Sequence, residues 1–164
     1  MLSIPDIGVA ILIGVAATAI MDVWLLALSR IGIPATDWAL VGRWVGLMPK
    51  GQFTHASVGQ APTVRGELAL GWVTHYAVGI SYALALLAVA GAGWARQPTI
   101  LPALLFGVAT VVVPMFVMQP AMGSGVAGSK TPSPSKTCLR SLANHGAFGA
   151  GLYVAAASFA YLTR

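Results

Sequence analysis

The sequence predicts an all-α membrane protein, a four-helix transmembrane bundle with two longer cytoplasmic loops. Hydrophobic residues make up 57% of the chain and charged residues only 8%, whereas soluble domains carry about 25% charged residues. So few charges cannot cover a surface that faces water, and the mean hydropathy of +0.82 agrees. Composition therefore excludes an ordinary soluble domain, and residues 1–164 are expected to form a single transmembrane domain.

Four apolar runs are long enough to cross a bilayer, which takes about 20 residues. Each run should be helical, because lipid offers no partner to backbone polar groups. The predicted spans are 7–29, 68–94, 99–119 and 141–163. Since consecutive spans alternate in direction, the two long connections between them must lie on the same side of the membrane.

Positive charge assigns that side. Seven Lys and Arg residues lie on the side of the long loops, whereas the other side carries only Arg96 and Arg164. Basic residues accumulate on the cytoplasmic side of membrane proteins. We therefore expect cytoplasmic long loops and outward-facing termini, and the net charge of +5 needs no nucleic-acid partner to explain it.

The first loop, residues 30–66, contains a possible helix at 36–48. Trp38 and Trp44 recur there at helical spacing with other apolar residues, and Thr36 is the candidate N-cap. Two tryptophans and one arginine suit a helix that lies flat in the membrane interface. A helix packed over the bundle fits the same pattern.

The stretch MGSGVAGSKTPSPSKT, residues 122–137, is similar to a phosphate-binding loop. However, Ser129 is inserted before Lys130, and a predicted span precedes the loop where that motif requires a strand. Pro132 and Pro134 argue against a helix starting there. We expect no nucleotide to bind, and a flexible loop whose backbone N–H groups could still hold a phosphate such as a lipid headgroup.

Three ionisable side chains lie well inside the predicted spans: Asp22, His75 and His145. Such groups are costly in hydrocarbon and therefore indicate a functional site. At about 1.5 Å per residue they lie roughly 12, 12 and 8 Å from the cytoplasmic span ends, so they share one layer. Each also lies on a stripe at four-residue spacing, which favours close packing and an inward face. The stripes are Gly14, Thr18 and Asp22; Gly71, His75 and Gly79; and Ser141, His145 and Gly149.

Four interpretations of this layer stay open. It could be a structural hydrogen-bond network in which Asp22 accepts from a histidine. It could be a metal or ion site, since two imidazoles and a carboxylate suit a transition metal and Met115, beyond a kink expected at Pro114, could add a soft ligand. It could be a proton relay or carrier site. It could also hold haem between His75 and His145.

Five motifs stand out along the chain: Asp22-Val23-Trp24; GRWVGLMPKGQFTH, residues 42–55; GELALGWVTHYAVG, residues 66–79; MQPAMGSGVAGSKTP, residues 118–132; and Arg140-Ser141 with His145, Gly149 and Tyr153. In these motifs the chain resembles the bacterial family described as domain of unknown function 2938. The resemblance implies a four-span protein of the bacterial inner membrane, in which the outward-facing termini predicted from charge lie in the periplasm. It implies no activity and carries no catalytic residues.

The predicted function is the binding or transport of a small ligand or ion at the Asp22, His75 and His145 layer. The alternative from another class is a structural or accessory subunit, as a homo-oligomer or in a larger membrane complex, whose polar layer only packs helices. A lipid-headgroup enzyme is a third possibility, although no nucleophile–base pair is evident from spacing. The predicted contacts to anionic headgroups of the lipid bilayer are Arg43, Lys50, Lys130 and Arg140.

Overall fold

The computed structural model describes residues 2–163, which form helices and turns and contain no β-strand. Three segments of this part are long and apolar enough to cross a membrane: Ile4–Arg30, Glu67–Ala90 and Ile100–Ala121. The all-α fold is therefore confirmed, and three candidate spans support a membrane protein. The helices are α1 (Ile4–Arg30), α2 (Trp38–Leu47), α3 (Glu67–Ala90), α4 (Ile100–Ala109), α5 (Gln119–Ala121) and α6 (Pro134–Leu162).

The helices are distributed over two compact units. Within the described residues, unit 1 consists of 2–34, 76–110 and 144–163, and unit 2 consists of 35–75 and 111–143. The long helices α3 and α6 each contribute one part to unit 1 and one part to unit 2. Six of the nine basic residues belong to unit 2, against two of the four acidic ones.

Unit 1 has a core built largely from small side chains. Alanines that are almost fully buried allow helix axes to approach closely, which is typical of packing between membrane helices. Four helices supply this core: α1 gives Ala10, Ile13 and Ala17, α3 gives Ala83, Leu86 and Leu87, α4 gives Ala103, and α6 gives Phe148, Leu152, Ala155 and Ala156.

Neighbouring helices of unit 1 run antiparallel at very close contacts. Gly14 of α1 faces the backbone of Ile80 on α3, where an added Cβ would lie 2.6 Å from the Cα atom. Gly79 faces the fully buried hydroxyl of Thr18. On the other side of the unit, Gly107 of α4 faces the Gly149 backbone of α6. The predicted small-residue stripes through Gly14, Gly79 and Gly149 therefore do mediate helix contacts.

Unit 2 contains α2, which packs onto the beginning of α3. The N-cap is Asp37, not Thr36 as the sequence predicted, because the Asp37 carboxylate accepts from the N–H groups of Ala39 and Leu40. Gly42 of α2 lies directly against the Glu67 carbonyl, and Gly71 of α3 lies against the Trp38 carbonyl. These contacts agree with the packed helix that the sequence allowed, and its position in the membrane interface stays a prediction.

One helix ends at a glycine, and another helical segment is interrupted near a proline. α3 stops at Ala90, four residues before the predicted span end, because Gly91 adopts an extended conformation with a positive φ of 86°, which glycine tolerates and a helix does not. The third segment is interrupted after Ala109 and continues as a π-helical turn, Pro114–Met118. Since proline lacks the N–H that a regular helix needs, the predicted distortion at Pro114 is confirmed.

The last helix begins earlier than predicted. α6 starts at Pro134, so the expectation that proline would prevent a helix start in this loop was wrong. Proline is tolerated in the first helical turn, where its missing N–H would have no partner in any case. Although α6 has 29 residues, it is not among the segments apolar enough to count as a span, because Asn144, His145 and several glycines lower its hydropathy.

Candidate functional site

Asp22 is held by a tyrosine in unit 1. The Tyr76 hydroxyl of α3 donates to the Asp22 carboxylate of α1 over 2.9 Å. Both residues are half-buried and lie inside apolar helices. A hydroxyl donor stabilises a carboxylate in such surroundings, because an unsatisfied charge away from water is costly. The donor is therefore a tyrosine, Tyr76, and not the histidine that was expected in a structural network.

His145 is anchored by Thr110, also in unit 1. The Thr110 hydroxyl donates to the Gly107 carbonyl over 2.6 Å, which uses its only hydrogen. It lies 2.8 Å from His145 Nδ1 and must therefore accept from that nitrogen. This arrangement assigns the proton of the neutral ring to Nδ1. The lone pair of Nε2 is then the one that can accept a proton or ligate a cation.

A third contact joins α1 to α6 near these two. The Trp24 indole donates to the Asn144 side-chain oxygen over 3.1 Å. Trp24 is two residues from Asp22, and Asn144 directly precedes His145. Because the neighbouring helices are antiparallel, these contacts place the polar groups of α1, α3, α4 and α6 at a similar level of unit 1. The sequence offered only weak signals for this, since tryptophan, tyrosine and threonine are common in spans.

His75 belongs to unit 2, where it lies among tryptophans. Its ring stacks on Trp38 of α2 with centroids 3.9 Å apart and an interplanar angle of 26°. Trp72, one turn earlier on α3, meets the same imidazole edge-on at 5.9 Å. These aromatic contacts fix the orientation of His75 against α2. These contacts were not predicted, because spacing along the sequence does not show that α2 packs against His75.

The proposed soft ligand, Met115, is buried in the π-helical turn of unit 2. Within residues 2–163, the structure contains no group of three or more His, Cys, Asp or Glu side chains close enough to hold a metal ion. The predicted transition-metal site at Asp22, His75 and His145 therefore has no support from ligand clustering in this part of the chain.

Arg43 was predicted to contact lipid headgroups, but its guanidinium forms an ion pair and hydrogen bonds within unit 2. Its guanidinium forms a bidentate pair with Glu67, with nitrogen–oxygen distances of 2.7 and 2.9 Å. It also donates to the Gly59 and Ala61 carbonyls. The hydrogen bonds to Glu67 raise the pKa of Arg43 above its usual value. This pair clamps α2 and the following loop to the start of α3.

The remaining headgroup candidates have different surroundings. Lys50 and Lys130 are exposed, whereas Arg140 is half-buried and engaged in an interaction of its own. The two lysines therefore remain the predicted contacts to anionic headgroups.

The loop at 122–137 is more ordered than the sequence predicted. The Lys130 N–H donates to the Ser124 carbonyl over 2.9 Å, and the Cys138 thiol donates to the Ala127 carbonyl. Gly123, Gly125 and Gly128 all have positive φ, which lets the chain turn tightly. A helix, not a strand, precedes the loop, as expected, so the context of a nucleotide-binding loop is missing.

Two buried polar atoms of unit 2 have no hydrogen-bond partner among the described residues, His55 Nε2 and Gln119 Oε1. Their backbones are close, since the His55 N–H donates to the Ala121 carbonyl over 2.8 Å. Buried water often satisfies such groups.

A family model describes most of the chain. Residues 11–159 match the family named Protein of unknown function (DUF2938). Comparison with curated proteins and with solved structures finds no match. The match to the family model covers nearly the whole sequence and includes the motifs that carried the resemblance. The chain therefore belongs to the DUF2938 family of proteins of unknown function.

Proposed function

We propose that the chain is a four-span protein of the bacterial inner membrane that binds or transports a small ligand or ion at the layer of Asp22, His75 and His145. The observation that carries the proposal is the Asp22 carboxylate inside an apolar helix of 27 residues, with a tyrosine hydroxyl as donor. A negative charge at this depth favours a cation, protons included, over an anion.

The fourth span is supported by the packing of α6. At about 1.5 Å per residue its 29 residues extend roughly 43 Å, which exceeds a hydrocarbon core of about 30 Å. The helix runs antiparallel to α1 and α4 and supplies four residues to the shared core. Its hydropathy is lowered by Asn144, His145 and three glycines, and His145 belongs to the proposed layer.

The orientation is supported by charge. Seven of the nine basic residues lie on the side of the long loops, so the positive-inside rule favours cytoplasmic loops and periplasmic termini. On this orientation the polar layer lies nearer the cytoplasmic ends of the spans.

Each residue of the layer would contribute a different chemical group. Asp22 supplies the negative charge, and Tyr76 holds it by a hydroxyl donor. His145 offers the Nε2 lone pair because Thr110 fixes the proton on Nδ1. His75, which directly precedes Tyr76 on α3, provides the second imidazole of the proposal.

A structural or accessory subunit is the alternative from another class. It is favoured by one observation, that Asp22 and His145 each already have an intramolecular hydrogen-bond partner. Polar bonds between membrane helices often contribute only about 0.6 kcal/mol to stability. Such bonds need no ligand.

Ligand-dependent thermal stability distinguishes the two functions. Purified protein in detergent would be heated with sodium, potassium, magnesium or zinc chloride over a range of concentrations. We expect one cation to raise Tm in the wild type, since a ligand at 100 times its Kd stabilises by about 2.7 kcal/mol, and to have no such effect on Asp22→Asn. The matched control is Asp37→Asn, which keeps a good N-cap on α2.

An equal response in the wild type and Asp22→Asn would reject the site and favour the accessory subunit. Elemental analysis and the absorption spectrum of the same preparation add a second check. A copurifying transition metal lost in Asp22→Asn would support the ion site, and a Soret band lost in His145→Gln would instead identify haem.

A further inference from the structure

Unit 1 contains a cavity at the end opposite the polar layer. It has a volume of about 380 Å³, is partly open, and is lined by the first turns of α1, the turn at 92–96 and the end of α6. Asp6, in its wall, precedes Asp22 by 16 residues, which is roughly 24 Å along a helix. The volume falls within the range of about 300 to 1,000 Å³ that is typical of small-molecule sites.

The cavity wall carries one charge of each sign. Asp6 has a side chain that is only 17% exposed, and its Oδ2 accepts from the Ser3 N–H and hydroxyl. Its other oxygen, Oδ1, lies 3.9 Å from Arg96, which is beyond hydrogen-bond distance. The Arg96 side chain is 78% exposed. The two charges therefore face one cavity without being closed into a hydrogen-bonded pair.

Apolar side chains complete the wall. Val9 comes from α1, Leu87 from α3, and Phe159 and Ala160 from α6. Such a wall lowers the local polarity and so strengthens the electrostatic attraction of any charge bound beside it. A simple anion would be repelled by Asp6, and a simple cation would be repelled by Arg96. Only a ligand that carries both charges on a short linker would pair with both residues.

We propose that this cavity binds a compact zwitterion in which a phosphate is joined to an ammonium, as in phosphoethanolamine. The ammonium is placed at Asp6 Oδ1, and the phosphate accepts from the fork of Arg96, whose planar donors match phosphate oxygens. The source is either the headgroup of phosphatidylethanolamine, with its first methylene groups against Leu87 and Phe159, or the free compound.

Native mass spectrometry of the full chain in detergent tests the proposal. Dissociation constants would be measured for phosphatidylethanolamine, for phosphatidylglycerol, which lacks the ammonium, and for free O-phosphoethanolamine. We expect phosphatidylethanolamine to bind at least roughly tenfold more tightly than phosphatidylglycerol, the size of effect that one charged hydrogen bond gives. Competition by the free compound would identify the small molecule as a sufficient ligand, whereas binding of the lipid alone would identify the lipid.

Variants assign the binding to the cavity. Asp6→Asn should abolish the preference for phosphatidylethanolamine, and Arg96→Gln should weaken both lipids. Ser3→Ala is the control for Asp6→Asn, because it loosens the same helix cap and keeps both charges. Arg30→Gln is the control for Arg96→Gln, because it removes an exposed positive charge at the far end of α1.

A variant that leaves both charges in place provides an independent check. Ala92→Leu narrows the cavity, so it should weaken every ligand that binds there, including the free compound. The proposal is overturned if the wild type does not distinguish the two lipids, if neither the lipid nor the free compound binds, or if Asp6→Asn and Ala92→Leu both bind phosphatidylethanolamine as the wild type does.

Discussion

The Tyr76 hydroxyl donates a 2.9 Å hydrogen bond to the Asp22 carboxylate and so joins α3 to α1 within unit 1. Each partner lies in a helix that is apolar enough to cross a membrane. If the layer binds a ligand, the charge of Asp22 is required for function. If the layer only packs helices, this hydrogen bond contributes to stability alone.

Removing the donor should destabilise the protein measurably. Tyr76→Phe keeps the ring but leaves the carboxylate without this hydroxyl, so we expect unfolding to become easier by about 0.5 to 2 kcal/mol. Unfolding in mixed detergent micelles would measure the change. Tyr82→Phe is the matched control on α3, since the Tyr82 ring packs edge-on against Phe148. If adding Asp22→Ala, which removes the acceptor, to Tyr76→Phe costs as much as it does in the wild type, the pair is not coupled.

The attachment of α2 depends on a glycine contact in unit 2. In Gly42→Ala the new Cβ would overlap the Glu67 carbonyl and lie 2.6 Å from the Gly71 nitrogen, so α2 would have to move away from α3. We expect a loss of about 1 to 3 kcal/mol and a red shift of tryptophan emission as Trp38 leaves His75. Gly59→Ala is the control in the same unit, because its Cβ would meet only the Ser57 hydroxyl, at 3.7 Å. Equal emission spectra for the two variants would contradict the close contact.

Topology is predicted from charge. Reporter fusions that follow Arg96 and Thr163 should both give periplasmic signals, because only two basic residues lie on that side. A fusion in the loop at 122–137 should give a cytoplasmic signal. Signals on opposite sides from Arg96 and Thr163 would show that α6 does not cross the membrane as α1 does.

The loop at 122–137 should not bind nucleotide. Calorimetric titration with ATP and magnesium is expected to show no binding at micromolar concentration, because the inserted Ser129 and the preceding helix depart from the phosphate-loop pattern. A micromolar isotherm that disappears in Lys130→Ala would refute this expectation.

The sequence predicted those features that depend on periodicity and on single residues with strong backbone effects. Small residues four apart placed Gly14 and Gly79 at a helix contact, and Pro114 indicated the distortion of the third segment. Periodicity could not predict which helices meet. Gly71 was assigned to a stripe beside His75, but it accommodates the backbone of α2.

The polar partners were harder to predict for a physical reason. Tyr76 and Thr110 are moderately apolar residues that occur in any span, and only the antiparallel register brings them to Asp22 and His145. The start of α6 at Pro134 was missed because the rule against proline applies to helix interiors and not to the first turn. Local rules fail where a residue's position within its element decides its effect.

The most direct test of the proposed layer is the initial rate of proton uptake by proteoliposomes that contain a pH-sensitive dye. A potassium diffusion potential, negative inside, would drive the flux in vesicles with wild type or Asp22→Asn at equal protein content. Asparagine still accepts a hydrogen bond from Tyr76 but carries no charge, so we expect the variant to remain folded and its rate to fall by roughly a hundredfold, the lower end of the range for a group that transfers protons. Equal rates in the wild type and Asp22→Asn would contradict proton transfer through the layer and leave the binding of another cation, or helix packing, as the role of Asp22.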